Sequence, residues 1–86
     1  MTRVGVITGL VSEARCLRDL SHDINLDISA SGVSAKRAEA LARNMCRNGC
    51  KLLVSFGSAG ALRPGIRTGD LLIPASVCQE SGKILE

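Results

Sequence analysis

The sequence predicts an α/β fold of three layers, α/β/α, around a mainly parallel or mixed central sheet left incomplete on its C-terminal side. Three observations predict it. Short apolar runs rich in β-branched residues alternate with segments of helical spacing, and crossovers of that kind require parallel strands. Each of the first three apolar runs ends in a small, glycine-containing loop. Finally, the 86 residues are 45% hydrophobic and 22% charged, with no low-complexity run, which is the balance of a globular chain.

The elements follow in order. Residues 4–7, "VGVI", form a continuous apolar run of the kind covered on both faces. Thr8 and Gly9 end it. Ser12 is a suitable N-cap for "SEARCLRDL", which gathers Cys16, Leu17 and Leu20 on one helical face, with Glu13 in its first turn. "INLDISA" alternates Ile24, Leu26 and Ile28 with polar residues, the pattern of a half-exposed strand. After "SGVS", residues from Ala35 onward place Ala38, Leu41, Ala42, Met45 and Cys46 at helical spacing, and Gly49 suits the turn that closes the helix.

"KLLVSF" predicts a third strand, again too apolar to be half-exposed. Gly57 and Gly60 bracket a tight turn, and Ala61 and Leu62 are placed to start a short helical turn. Pro64-Gly65 and Thr68-Gly69-Asp70 read as further turns. "LLIP", residues 71–74, predicts a fourth strand ended by Pro74, and the remaining "ASVCQESGKILE" a further strand or hairpin. Residues 1–86 make one unit, the N-terminal portion of a single domain.

Composition excludes several functions. Phe56 is the one aromatic residue, and the eleven Lys and Arg residues are scattered against eight acids, so neither stacking platforms nor a basic patch points to nucleic acid. Cys16, Cys46, Cys50 and Cys78 lack C-x-x-C spacing, and the single His22 completes no metal set, so reduced thiols and no metal are expected. No segment approaches the roughly twenty apolar residues of a membrane span. A first strand explains "VGVITGL" better than a signal peptide does, so a cytoplasmic location is expected.

Candidate chemistry lies at the strand ends. "TGLVSE", "SGVSAKR" and "GSAG" converge on one crevice if the three strands are parallel neighbours. Glycine lets backbone N–H groups approach an anion, and Thr8-Gly9 and Gly57-Ser58-Ala59-Gly60 have that form. Neither is a Walker A loop nor G-x-G-x-x-G, which argues against an ATPase or a dinucleotide enzyme. Glu13 complements its helix dipole and also stands beside the crevice, where it can orient water or bind a sugar hydroxyl. Arg15 and Arg18 read first as solvated charges of a helix face and only second as cations for a phosphate.

Three blocks, "VGVITGLVSEA", "SGVSAKRAEALA" and "LLVSFGSAGALRPGIRTGDLLIP", together resemble the nucleoside phosphorylase and nucleosidase superfamily, the third block most specifically. "VITGLVSEAR" and "VSFGSAGAL" are most similar to bacterial hopanoid-associated phosphorylases. The resemblance implies cleavage of the N-ribosidic bond of a purine, adenine-type nucleoside, with inorganic phosphate as co-substrate and no other cofactor, in a homo-oligomer. Hydrolysis by a methylthioadenosine or adenosylhomocysteine type of nucleosidase, and a non-catalytic binding fragment, are the alternatives. By the same resemblance Glu13 is the catalytic carboxylate. Gly9, Arg15 and Ser58 bind phosphate, and Thr8, Ser58, Ala59 and Gly60 line the nucleoside site. Ser55 stands where several phosphorylases carry a phosphate-binding Arg, and nothing here corresponds to the family's later "Met-Glu" segment.

Overall fold

The computed structural model describes residues 2–85, apart from the side chains of Ser21 and His22. Strand β1 (Val4–Thr8) leads through helix α1 (Val11–Leu17), prolonged by a 3-10 turn (Arg18–His22), to strand β2 (Leu26–Ala30). Helix α2 (Ala35–Arg47) then leads to strand β3 (Leu52–Phe56), and a hairpin of β4 (Val77–Cys78) and β5 (Ile84–Leu85) closes the described chain.

The first three strands form a parallel sheet in the order β2-β1-β3. Right-handed crossovers that step outward from β1 to β2, and then back past β1 to β3, place α1 and α2 on opposite faces. This is the expected α/β arrangement. β1 lies in the middle, and Val6, Ala14, Met45 and Cys50 form the buried apolar core around it.

One contact fixes how closely α2 approaches. A Cβ built on Gly5 would lie 2.7 Å from Met45 Sδ, 2.9 Å from Leu53 Cδ2 and 3.2 Å from Met45 Cβ, so a larger residue here would force those side chains to shift. The end of α2 is equally specific. Gly49, at φ +91°, lets its own N–H donate to the Cys46 carbonyl and the Cys50 N–H donate to the Met45 carbonyl, at 3.2 and 3.0 Å. These two bonds make a Schellman motif, which turns Cys50 inward while Cys46 stays exposed.

Four expectations are corrected. Helix α1 starts at Val11 rather than after Ser12: Leu10 is the N-cap residue, and its N–H donates to the carboxylate of Glu13, the third helical residue. Residues 61 and 62 form no helical turn. Residues 71–74 form no strand, although the turns before them are present: Gly65 and Gly69 have φ of +92° and +93°, and Asp70 N–H donates to the Arg67 carbonyl at 3.0 Å. Lastly, β3 is an exposed edge rather than a covered strand, since no described strand pairs with its outer side. Both of the last two differences have one cause. An apolar run becomes a buried strand only when a neighbour supplies the pairing and the cover.

Candidate functional site

Parallel register brings the three strand ends level. Thr8 stands opposite Ala30 on one side and Phe56 on the other, so the loops after β1, β2 and β3 emerge at one edge of the sheet. The convergence expected of "TGLVSE", "SGVSAKR" and "GSAG" is therefore present.

Two sets of hydrogen bonds tie these loops together. Between the first and second, Ser31 donates to the Thr8 carbonyl through its N–H at 2.8 Å and its hydroxyl at 3.3 Å. Between the first and third, the Glu13 carboxylate accepts from Ser58. Glu13 Oε2 receives the Ser58 N–H at 2.7 Å and the Ser58 hydroxyl at 2.9 Å, while Oε1 receives the Leu10 N–H at 2.9 Å. These bonds hold the Glu13 carboxyl below its ordinary value of 4.5, with the Ser58 N–H the largest cause, then Leu10, the Ser58 hydroxyl and, more weakly, the Gly9 N–H. Glu13 is thus ionised at neutral pH, an acceptor and not a proton donor.

A carboxylate offers about four lone-pair sites. Three are occupied here, leaving about one for a ligand hydroxyl or a water. Gly57 permits this packing, since a Cβ there would lie 3.2 Å from Glu13 Oε2.

The other predicted residues take varied places. Thr8 is 1% exposed and its hydroxyl donates to the Leu10 carbonyl at 2.8 Å, so it faces the protein interior rather than the crevice. Gly9 is exposed beside Glu13. Ala59 and Gly60 are exposed in the loop after β3, and no hydrogen bond among the described residues engages their N–H groups. Arg15 is exposed and lies two positions from Glu13 on α1, which turns it away from the carboxylate's face. The structure therefore brings Gly9, Glu13 and Ser58 together, and does not bring Arg15 to them.

Sequence reasoning passed over Ser31 and Leu10. Ser31 opens the "SGVS" loop, and its burial beside Thr8 is the signal that it binds the chain rather than solvent. Leu10 contributes only its backbone, which no side-chain pattern reveals. Among the described residues no group of His, Cys, Asp and Glu is placed to hold a metal ion, and no helix is long and apolar enough to cross a membrane.

Fold and site together define an α/β protein whose polar loops gather at the carboxyl edge of a parallel sheet, where ligands of such sheets bind. Comparison with protein families gives a match to the Phosphorylase superfamily over residues 25–85, more than half of the chain, and the chain belongs to that superfamily. The matched span includes Ser31, Ser58, Ala59 and Gly60 and begins after Glu13. Comparisons with curated proteins and with solved structures give no match.

Proposed function

We propose that this chain supplies the phosphate- and nucleoside-facing loops for phosphorolysis of the N-ribosidic bond of an adenine-type nucleoside, as in the hopanoid-associated phosphorylases. The observation that carries the reading is the Glu13–Ser58 pair, which fixes an ionised carboxylate and a glycine loop at the shared edge of β1 and β3. Breaking this bond develops positive charge on the sugar, and a fixed carboxylate stabilises that charge or binds a ribose hydroxyl.

The roles divide by hydrogen-bond capacity. Ser58 gives both of its donors to Glu13, so its contribution to phosphate binding is to hold the loop in place. The N–H groups of Ala59 and Gly60 are the donors that remain for phosphate, while the Gly9 N–H on the facing loop is shared with Glu13. Thr8 shapes the nucleoside side of the site from beneath, through its bond to the Leu10 carbonyl. Inorganic phosphate is the co-substrate and no other cofactor is required.

One observation favours a second reading. Ser55 lies on β3 at the place where several phosphorylases carry an arginine, and Arg15 lies two positions from Glu13 on α1, so neither position sets a guanidinium beside the Glu13 carboxylate. Glu13, with about one acceptor site left, suits the orientation of a water, the hydrolytic chemistry of nucleosidases.

Chromatographic assay of adenine release from adenosine and related nucleosides, with and without phosphate, tests the proposal. Release that requires phosphate and yields ribose 1-phosphate supports phosphorolysis, whereas equal release without phosphate supports hydrolysis. No release, together with no heat of binding for nucleoside or phosphate by calorimetry, overturns both and leaves a non-catalytic structural unit.

A further inference from the structure

The corner between α2 and β3 carries a dipeptide with chemistry of its own. Of the three asparagines, Asn25, Asn44 and Asn48, only Asn48 precedes a glycine. Gly49 has no Cβ to crowd its backbone nitrogen, so that nitrogen can reach the side-chain amide carbon of Asn48 and close a cyclic imide. Both residues are exposed, and no hydrogen bond among the described residues engages the Asn48 side-chain amide. Asn25 and Asn44 are exposed as well, but Leu26 and Met45 follow them.

In the folded chain the reacting atoms are held apart. Asn48 has φ −85° and ψ 10°. A ψ near zero sets the Gly49 nitrogen over the backbone nitrogen of Asn48 itself, about a third of a turn from the Cβ that carries the amide. Two hydrogen bonds keep it there: the Gly49 N–H donates to the Cys46 carbonyl at 3.2 Å, and the Cys50 N–H to the Met45 carbonyl at 3.0 Å. Ring closure therefore needs ψ to rotate and this Schellman motif to open first.

We propose that the Asn48–Gly49 peptide is a site of spontaneous deamidation, gated by the last turn of α2, whose product releases Cys50. The Gly49 nitrogen bonds to the side-chain carbon of Asn48, and the amide nitrogen leaves as ammonia, taking the Gly49 proton. Water then opens the imide at either carbonyl, which leaves an ordinary aspartyl residue or an isoaspartyl linkage. The aspartyl product places a carboxylate against the negative end of α2. The isoaspartyl product adds a methylene to the backbone between α2 and β3, so the Gly49 and Cys50 N–H groups lose register with the Cys46 and Met45 carbonyls. Cys50, 8% exposed in the unmodified chain, then loses the turn that points it inward. Lys51, whose N–H donates to the Arg3 carbonyl at 2.8 Å, follows it directly. All these contacts lie within residues 3–51 and at the opposite end of the sheet from the ligand loops, so the proposal stands independently of the reaction those loops serve.

Peptide mapping by mass spectrometry, with isoaspartyl methyltransferase labelling, of the chain aged in warm, neutral, reducing buffer tests it. Asn48 is expected to convert while Asn25 and Asn44 stay intact. Conversion in guanidinium chloride is expected to run at least about fivefold faster than in buffer, the share of two hydrogen bonds that no longer hold. Alkylation of Cys50, read on its own peptide, is expected to be faster in the aged chain than in the fresh one, and to stay slow in Asn48→Gln aged alongside. An intact Asn48, or equal conversion at Asn25 or Asn44, overturns the site. Equal rates in buffer and denaturant overturn the gating, and equal Cys50 labelling of aged and fresh chains overturns the release.

Discussion

Glu13 and Ser58, 45 residues apart in sequence, are joined by two hydrogen bonds of 2.7 and 2.9 Å to a single carboxylate oxygen. The bond links the first turn of α1 to the loop after β3, so the glycine loop takes its position from a side chain two crossovers earlier. Removing the carboxylate in Glu13→Ala is expected to speed amide hydrogen exchange at Ser58 while leaving β1 protected. Unchanged exchange at Ser58 would show that the loop holds its own conformation.

The same pair makes the loop sensitive to acid. The folded-state pKa of Glu13 lies below 4.5, so its contribution to stability is fully present above that value and is lost as pH falls through the lowered pKa. A carboxyl-carbon NMR titration is expected to place the Glu13 midpoint below 4.5, with Ser58 amide protection falling in step. Glu13→Gln is expected to remove the pH dependence in that window. A midpoint at or above the ordinary value contradicts the prediction.

Gly5 is set by its neighbours and not by its backbone angle. In Gly5→Ala the new methyl meets Met45 and Leu53 inside van der Waals distance, and Met45 is itself buried. The variant is expected to lose about 1–3 kcal/mol, measured by denaturant unfolding.

Gly49 tests the opposite case. No atom lies within 4 Å of its Cβ position, but φ is +91°. Gly49→Ala is expected to cost about 1–2 kcal/mol through left-handed strain at the end of α2, again read by unfolding. Equal stability of variant and wild type would mean that α2 ends adequately without the motif.

Thr8 carries a prediction about direction. Thr8→Val removes the hydroxyl's bond to the Leu10 carbonyl, which keeps the Ala14 N–H, and is expected to destabilise by about 0.5–1.5 kcal/mol, whereas Thr8→Ser retains the bond and most of the stability. Were Thr8 instead a direct nucleoside contact, Thr8→Val would weaken nucleoside binding in calorimetry while leaving stability intact.

Much of this architecture was legible along the chain. The apolar periodicity of residues 4–7, 24–30 and 35–46 located β1, β2 and α2, because burial in a parallel sheet or against its face imposes those periods. Gly49 and Gly65 marked turns for the same local reason, a backbone angle that few other residues adopt. The level strand ends followed from the order of elements. What could not be read locally was cover: "LLVSF" and "LLI" are equally apolar, yet one became a strand by pairing with β1 and the other found no partner.

The sequence by itself therefore determined the elements that answer to local rules and the α/β order that sends three polar loops to one edge. Only the tertiary structure decided how the site residues are used. Thr8 and Ser31 are spent within the chain, Glu13 binds Ser58 as an ionised acceptor, and Arg15 faces elsewhere. The physical reason is that hydrogen-bond capacity is finite and directional. Which donors remain for a ligand depends on contacts between residues that are distant in sequence, and those exist only once the strands are side by side.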